Sequence, residues 1–238
     1  MTKNLRTTSC RPDNLVPYYQ DECATIYHGD CRAILPQLPR ADLVLTDPPY
    51  GIGEARGRNK GRSVLAVSKD YGVSSWDDAP PDADTLSAVI NSAKWSIIFG
   101  GNFFDLPPSP CWLVWDKDNG ATDFADCELA WTNFGCAARL IRHRWHGMLQ
   151  EHGGQHKEAR HHPTQKPVPV MQWCLQRAPS GVATVLDPFM GSGSTLVAAK
   201  LNGQRSIGIE REERYCEVAV SRLAQGVLDF CGNGKSKK

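Results

Sequence analysis

Two consecutive prolines after an apolar run constrain this chain more than any other short feature. The run Ala41–Leu45 is largely apolar and rich in branched residues, which indicates a buried strand. Pro48 and Pro49 follow it closely. Because each proline fixes φ and lacks an N–H, neither a helix nor a strand ladder can continue through them. The sequence therefore predicts a stiff, extended turn at the carboxyl end of a strand, and this turn carries the carboxylate of Asp47 and the ring of Tyr50.

The residues of this turn suit a planar ligand that bears an amino group. The carboxylate of Asp47 and the backbone carbonyls of the turn can accept amino hydrogens, while Tyr50 offers a flat ring for stacking. An ordinary strand end accounts for the same residues, since Asp-Pro favours turns. The tetrapeptide alone leaves both interpretations open.

Composition argues against a membrane-spanning protein and against a protein that is basic overall. The chain has 238 residues, of which 41% are hydrophobic and 22% charged, as in ordinary globular proteins. Its net charge of +1 gives no overall basic character, so a nucleic-acid partner would have to rely on local basic segments. No apolar run is long enough to span a bilayer, and the nine cysteines have no regular spacing. With no apolar N-terminal segment, we expect reduced thiols in a cytoplasmic protein that has no membrane partner.

A strand–turn–helix–strand unit lies in the last third of the chain. The apolar run Val182–Leu186 ends at Asp187, a turn containing Gly191 and Gly193 follows, and the next predicted strand ends at Glu210. Glu210 lies 19 residues after Gly191, close to the spacing at which an acidic residue binds ribose hydroxyls. This unit has neither the third glycine of the dinucleotide fingerprint nor the Gly-Lys-Ser/Thr of a P-loop. The unit therefore favours a ribosyl ligand without pyrophosphate, of which S-adenosylmethionine is one.

Two segments concentrate basic residues. The first, at about 52–81, alternates glycine with basic residues and has no apolar periodicity, so we expect a flexible loop. A solvated loop is the simpler interpretation, and a mobile basic flap that contacts phosphates is the functional one. The second, residues 142–166, also contains six of the seven histidines; a metal site is disfavoured there because two adjacent glycines would break the helix needed to present them. The candidate phosphate contacts are Arg56, Arg58, Lys60, Arg62, Arg142, Arg144, Lys157 and Arg160.

Three longer stretches resemble the main motifs of the amino-group DNA methyltransferases, which modify adenine N6 or cytosine N4. They are Asp-Pro-Pro-Tyr at 47–50, His-Pro-Thr-Gln-Lys-Pro at 162–167 and Asp-Pro-Phe-Met-Gly-Ser-Gly-Ser-Thr at 187–195. Their order, with the catalytic motif before the cofactor motif, resembles the β group of that family. Gly29-Asp30-Cys31 and Glu210 are similar to its minor motifs, so the resemblance extends over nearly the whole chain.

The resemblance implies a particular fold. It is an α/β, class I methyltransferase fold: a Rossmann-like, mostly parallel sheet of seven strands with an antiparallel edge strand. The order of motifs implies circular permutation, so that the chain begins at the third strand and finishes after the second. One catalytic domain would cover residues 1–238, with the basic loop at about 52–81, a short recognition segment at about 146–160 and a disordered tail at 232–238.

The resemblance also implies roles for individual residues. The reaction would be direct methyl transfer from S-adenosylmethionine to an exocyclic amino nitrogen, within a rigid turn formed by Pro48 and Pro49. Asp47 and the Pro48 carbonyl would accept both amino hydrogens, and Tyr50 would stack on a base turned out of the duplex. Glu210 would bind the ribose hydroxyls. The implied cofactor residues are Asp30, Cys31, Asp47, Lys166, Asp187, Phe189, Gly191, Ser192, Gly193, Thr195, Glu210 and Arg211, with Asp30 on the adenine amino group and Lys166 on the methionine carboxylate.

The first residue of the catalytic motif bears on the target. In this family aspartate at that position goes mainly with adenine, so we expect adenine in double-stranded DNA. A cytosine amino group and an RNA amino group remain alternatives, and a non-catalytic nucleic-acid binder is less favoured because the Asp47–Tyr50 turn is intact. The sequence leaves open the recognition sequence, a cognate restriction enzyme, and whether the chain acts as a homodimer.

Overall fold

Eleven strands and five α-helices lie within the residues that the computed structural model describes, which are 15–51, 79–120, 125–146, 149–150, 158 and 165–225. The strands are β1 (Tyr19–Gln20), β2 (Ala24–His28), β3 (Ala41–Thr46), β4 (Ala93–Phe99), β5 (Trp112–Asp116), β6 (Cys127–Thr132), β7 (Arg139–Arg142), β8 (Trp145–His146), β9 (Leu149–Gln150), β10 (Thr184–Asp187) and β11 (Arg205–Glu210). The helices are α1 (Cys31–Ile34), α2 (Ala83–Asn91), α3 (Val168–Arg177), α4 (Ser194–Leu201) and α5 (Glu213–Ala224).

Nine of these strands form one sheet in the order β1-β2-β11-β10-β3-β4-β6-β5-β7. The five strands from β2 to β4 in this order are mutually parallel, whereas β6 is antiparallel to both of its neighbours. The predicted mostly parallel α/β sheet is confirmed. It has nine strands where seven are predicted, because the short strands β1 and β7 add one strand at each edge; β1 is the antiparallel edge strand.

The order of strands places distant parts of the chain side by side. β3, which leads into the Asp-Pro-Pro-Tyr turn, pairs with β10, which leads into the glycine turn, although about 140 residues separate them. β11, the last of the described strands, pairs with β2, which lies early in the sequence. All these strands run in the same direction, so their carboxyl ends and the acidic residues that follow meet at one edge of the sheet.

Helices cover both faces of the sheet, as a parallel sheet requires. Leu43 and Leu45 of β3 are fully buried in the cluster formed with α3, α4 and α5. Val44, between them, points to the opposite face and packs with residues of α1 and α2. Within the described residues, none of the helices combines the length and apolar character needed to cross a membrane.

Candidate active site at the carboxyl edge of the sheet

A cavity of about 520 Å³ opens at the carboxyl ends of the parallel strands. Ligands bind at this edge in open α/β sheets, and small-molecule sites commonly occupy about 300–1,000 Å³. Eleven of the twelve residues predicted to bind a cofactor line it: Asp30, Cys31, Asp47, Lys166, Asp187, Phe189, Gly191, Ser192, Thr195, Glu210 and Arg211. The twelfth, Gly193, caps α4 in a left-handed conformation, with φ of 79°. A Cβ there would lie 2.8 Å from the Cβ of Ala219, so this turn requires glycine on both counts.

Asp187 ties the glycine turn to the strand that carries the catalytic motif. Its Oδ1 accepts hydrogen bonds from the Thr46 hydroxyl (2.6 Å) and the Phe189 N–H (3.1 Å), and its Oδ2 accepts one from the Thr195 hydroxyl (2.5 Å). Burial raises the pKa of Asp187 to about 6, because the interior disfavours the charged form. Asp187 therefore fixes the conformation of the turn through these hydrogen bonds, and it also forms part of the cavity wall.

Glu210 holds the other side of the same turn. Its Oε2 accepts from the Gly191 N–H (3.0 Å) and its Oε1 from the Glu212 N–H (2.7 Å). Burial raises the pKa of Glu210 above its ordinary value, against the lowering effect of these hydrogen bonds. A carboxylate fixed in this way keeps further acceptor capacity for a hydroxyl ligand, since each oxygen has two lone-pair directions.

The adjacent wall comes from the short helix α1. Asp30 caps this helix by accepting from the Arg32 N–H at 2.9 Å, and it pairs with the Arg32 guanidinium at 2.5 Å. The hydrogen bond from Arg32 lowers the pKa of Asp30, so this carboxylate stays ionised. Burial raises the pKa of the neighbouring Cys31 thiol to about 11, which leaves it neutral and favours a backbone or packing contact over nucleophilic chemistry.

Asp47 sits where the cavity meets the Pro-Pro turn. Its Oδ1 accepts the Tyr50 hydroxyl at 2.5 Å, and its Oδ2 accepts the Lys166 ammonium at 2.5 Å. Burial raises the pKa of Asp47, with Lys166 acting in the opposite direction. The Asp-Pro-Pro-Tyr and Gln-Lys-Pro segments, 119 residues apart, thus meet at one carboxylate.

Lys166 lies between two carboxylates. Besides Asp47, its ammonium contacts Oε2 of Glu128 at 3.0 Å, and Oε1 of Glu128 pairs with Lys117 at 2.6 Å. Burial alone lowers the pKa of Lys166, but the carboxylates of Asp47 and Glu128 outweigh it and raise this pKa above its ordinary value. The ammonium stays charged, within a row of alternating charges that begins at Asp47.

The ring of Tyr50 already has an aromatic neighbour on one face. Phe103 stacks on it with centroids 4.8 Å apart and an interplanar angle of 17°, and Phe104 meets it edge-on at 6.1 Å. Gly100, with φ of 68°, lets the ring lie directly against its backbone, where a Cβ would overlap the ring. Phe103 is 48% exposed, so the Tyr50–Phe103 stack lies at the protein surface.

Comparison with known proteins identifies the family. A family model described as DNA methylase, of the N6/N4 type, matches residues 107–221. YubD of Escherichia coli (strain K12), a protein named as a methylase, is 32% identical over 213 residues, which cover 82% of this chain and 88% of YubD. The chain belongs to the N6/N4 DNA methylase family.

Further relatives agree with this assignment. The type II methyltransferase M2.LlaDCHI of Lactococcus lactis subsp. cremoris is 25% identical over 252 residues, or 88% of this chain and 93% of the relative. Two solved structures share the fold of this DNA methylase. M1.HpyAVI in complex with SAM has 23% identity and a TM-score of 0.52, covering 84% of this chain and 98% of its own. The cytosine-N4-specific PvuII DNA methyltransferase has 16% identity and a TM-score of 0.55, and the match covers 87% of this chain and 88% of the PvuII enzyme.

Both the predicted class I methyltransferase fold and the predicted cofactor, S-adenosylmethionine, are confirmed by these relationships. The cavity suits that cofactor: Asp30 and Glu210 supply acceptors for amino and hydroxyl groups, and the backbone at Gly191 is open to close approach. Phe189, Met190 and other apolar residues complete the wall. Asp47 lies in the same lining, at the side that leads to Tyr50.

Three contributors to the site of this DNA methylase are absent from the sequence predictions. Glu128 lies in β6 and reaches the site only because β6 pairs with β4. Phe103 follows β4, and the pair of adjacent aromatic residues Phe103-Phe104 is the sequence feature that could have pointed to it. Arg222 of α5 is buried and donates to the Ser192 carbonyl at 2.7 Å and to the hydroxyls of Ser192 and Ser194. No sequence pattern marks it apart from other charged residues of an amphipathic helix.

The predicted DNA contacts are described only in part. Arg142 and Arg144 are exposed at the end of β7 and just after it, and each pairs with an aspartate near the end of β5, Asp116 and Asp118. The predicted contacts outside the described residues are Arg56, Arg58, Lys60, Arg62, Lys157 and Arg160. Of the predicted basic loop only residues 79–81 are described; most of the 146–160 segment and the whole 232–238 tail fall outside as well.

Proposed function

We propose that this DNA methylase transfers a methyl group from S-adenosylmethionine to the N6 amino group of adenine in double-stranded DNA. The observation that carries the proposal is that Asp47 shares one cavity lining with Asp187, Glu210 and the glycine turn. When bound, S-adenosylmethionine supplies an electrophilic methyl group. Oδ1 of Asp47 accepts a hydrogen bond from the Tyr50 hydroxyl, so this carboxylate lies at the Tyr50 side of the lining.

The chemical task of Asp47 follows from the target. An exocyclic amino nitrogen is a poor nucleophile because its lone pair is delocalised into the base. Asp47 and the Pro48 carbonyl, by accepting the two amino hydrogens, would localise that lone pair as positive charge develops. Tyr50 and Lys166 already donate to the two oxygens of Asp47, but each carboxylate oxygen can accept a second hydrogen bond. The amino group can therefore bind without displacing Lys166.

Reaching this site requires the base to leave the helix. A stacked adenine cannot approach a carboxylate that is largely buried, so the target would be flipped out, at a cost of a few kcal/mol. Stacking on Tyr50 would return about 1–3 kcal/mol of that cost. Phe103 covers one face of Tyr50, so a base that uses this face takes the place of the Phe103 ring.

The choice of adenine rests on aspartate at the first position of the catalytic motif. A cytosine N4 amino group offers the same two hydrogens, and the PvuII enzyme with this fold is cytosine-specific. The type II relative favours a role beside a restriction enzyme, with a DNA duplex as substrate.

Affinity for that duplex would come from the basic segments. The slope of the logarithm of the DNA-binding constant against the logarithm of the salt concentration reports the number of phosphate contacts. If Arg56, Arg58, Lys60 and Arg62 each contact one phosphate, neutralising all four should reduce the magnitude of this slope by up to about 3.6. An unchanged slope, measured by fluorescence anisotropy at several salt concentrations, would exclude the flap as a DNA contact.

The roles assigned to the site are tested by Asp47→Ala. We expect methyl transfer to be abolished, while the affinity for S-adenosylmethionine, measured by calorimetry, stays within a few-fold of the wild type. Parallel loss of both would show that Asp47 serves cofactor binding or folding. Retention of methyl transfer would exclude Asp47 as the acceptor of the amino hydrogens.

A further inference from the structure

A row of largely buried charges extends from the Asp47 carboxylate. It runs from Tyr50 to Asp47, Lys166, Glu128 and Lys117; the Tyr50–Asp47 and Asp47–Lys166 hydrogen bonds are both 2.5 Å long, and the Lys166–Glu128 and Glu128–Lys117 ion pairs are 3.0 and 2.6 Å. The side chains of Asp47, Lys166, Glu128 and Lys117 are only 18%, 7%, 20% and 21% exposed. Two cations and two anions alternate, so the row is neutral as a whole.

Glu128 has no part in the motifs that resemble the family. It belongs to β6, in which Ala130, two residues further along and on the same face of the sheet, is a fully buried core residue. A carboxylate in such a strand is costly to bury unless cations compensate it. Here two lysines do so, one from the end of β5 and one from the Gln-Lys-Pro segment. The arrangement is built around Lys166, since Lys166 contacts both carboxylates.

Sharing the ammonium has a consequence for Asp47. A lysine with Asp47 as its single partner would direct its full charge at that carboxylate and weaken it as a hydrogen-bond acceptor. With Glu128 at 3.0 Å on its other side, Lys166 is held in place while part of its charge is balanced elsewhere. Lys166 then keeps Asp47 oriented, while Asp47 retains acceptor strength for amino hydrogens.

We propose that Glu128 is a positioning residue for methyl transfer, which fixes the Lys166 ammonium between two carboxylates and so tunes Asp47 as an acceptor. The inference rests on the role of Asp47 in the proposed function. It assigns to Glu128 no contact with DNA or with the cofactor.

The test is Glu128→Gln, which keeps the shape of the side chain and removes its charge. We expect kcat to fall on the order of 10- to 100-fold, as for other small misplacements of reacting groups, with the S-adenosylmethionine affinity within about twofold. Glu128→Asp, which restores the charge on a shorter side chain, should recover part of kcat. Asp126→Asn, the same change at an exposed position just before β6, serves as the matched control and should leave kcat unchanged.

The pH profile separates positioning from a merely structural role. Among the described residues, the groups that act electrostatically on Asp47 are Lys166, Glu128, Tyr50 and Asp187, while Lys166 and Lys117 act on Glu128. The negative charge of Glu128 raises the pKa of Asp47, so its removal lets Asp47 ionise at lower pH. The acid limb of kcat/KM should therefore move to lower pH in Glu128→Gln and return in Glu128→Asp.

Two results would overturn the proposal. One is a Glu128→Gln enzyme with wild-type kcat and an unshifted acid limb. The other is a fall in kcat with an unshifted acid limb and a lowered melting temperature, which would make Glu128 a structural residue. If Asp47→Ala is inactive while Glu128→Gln behaves as wild type, the proposed function stands and this inference alone fails. Methyl transfer by Asp47→Ala would instead refute the proposed function.

Discussion

Replacing Arg222 with methionine would break a buried contact between α5 and the glycine turn. The Arg222 guanidinium donates through Nη1 to the Ser192 carbonyl (2.7 Å) and to the hydroxyls of Ser192 (3.1 Å) and Ser194 (3.2 Å). Through Nη2 it pairs with Glu158 at 2.8 Å. Glu158 in turn accepts from the Val168 N–H at 3.0 Å, at the first residue of α3. One side chain of α5 therefore connects the glycine turn with the start of α3.

The loss of stability expected for Arg222→Met follows from how deeply the ion pair is buried. The side chains of Arg222 and Glu158 are 7% and 12% exposed, and removal of one partner of a buried ion pair typically costs about 3–5 kcal/mol. At about 2–4 °C per kcal/mol for a chain of this size, the melting temperature should fall by roughly 6–20 °C. Because burial raises the pKa of Glu158, the loss should shrink at low pH, where that carboxylate is protonated in the variant.

The assay is urea unfolding followed by far-ultraviolet circular dichroism, with S-adenosylmethionine affinity measured by calorimetry on the folded variant. We expect weaker cofactor binding as well, because Ser192 lies in the cavity lining. Arg177→Met, at an exposed position of α3, is the control and should change stability by no more than about 0.5 kcal/mol. Adding Glu158→Gln to Arg222→Met should restore part of the loss. A loss below about 1 kcal/mol, with unchanged cofactor affinity, would refute this reasoning.

Three shorter predictions concern the remaining parts of the site. With its pKa raised from 3.8 to about 6, Asp187 binds its proton more tightly in the folded state, so its contribution to stability falls as pH rises through this window. Relative to Asp187→Asn, the wild type should lose about 2 kcal/mol of unfolding free energy between pH 4 and pH 7, and parallel pH curves in urea titrations would contradict this. Gly193→Ala should cost about 1–3 kcal/mol and weaken cofactor binding, because a left-handed residue gains a Cβ 2.8 Å from Ala219; an unchanged melting curve would argue against it. Phe103→Ala should lower the KM for DNA by about 2- to 10-fold, since the base no longer displaces a ring from Tyr50, whereas a raised KM in steady-state assays would mean that Phe103 holds the base.

The sequence was sufficient for those parts of the site that follow strand ends. Asp47, Asp187 and Glu210 each come just after or at the end of an apolar run, and parallel strands necessarily bring such ends to one edge. The left-handed turn at Gly193 was also accessible, because a Gly-x-Gly between a strand and a helix is typical of a tight turn that needs positive φ.

Site residues that are brought together only by the order of strands or by helix packing could not be predicted from the sequence pattern. Glu128 reaches Lys166 only through the insertion of β6 between β4 and β5, and sequence periodicity does not determine this order of strands. Arg222 lies in α5, where the amphipathic pattern predicts an exposed charged residue. In the structure its side chain is buried and donates to the Ser192 carbonyl. For Lys166 the resemblance implied the methionine carboxylate; the structure places its ammonium between Asp47 and Glu128, and the predicted contact with the cofactor remains a prediction.

The most direct test of the account is the identity of the methylated nucleoside. Purified protein would be incubated with duplex DNA and S-adenosylmethionine labelled in its methyl group, and the DNA then digested to nucleosides and analysed by mass spectrometry. The account predicts label in N6-methyldeoxyadenosine, and its loss when Asp47 is replaced by alanine. Label in N4-methyldeoxycytidine would contradict the adenine assignment, and label in no nucleoside of any duplex, from protein that binds the cofactor, would contradict the account as a whole.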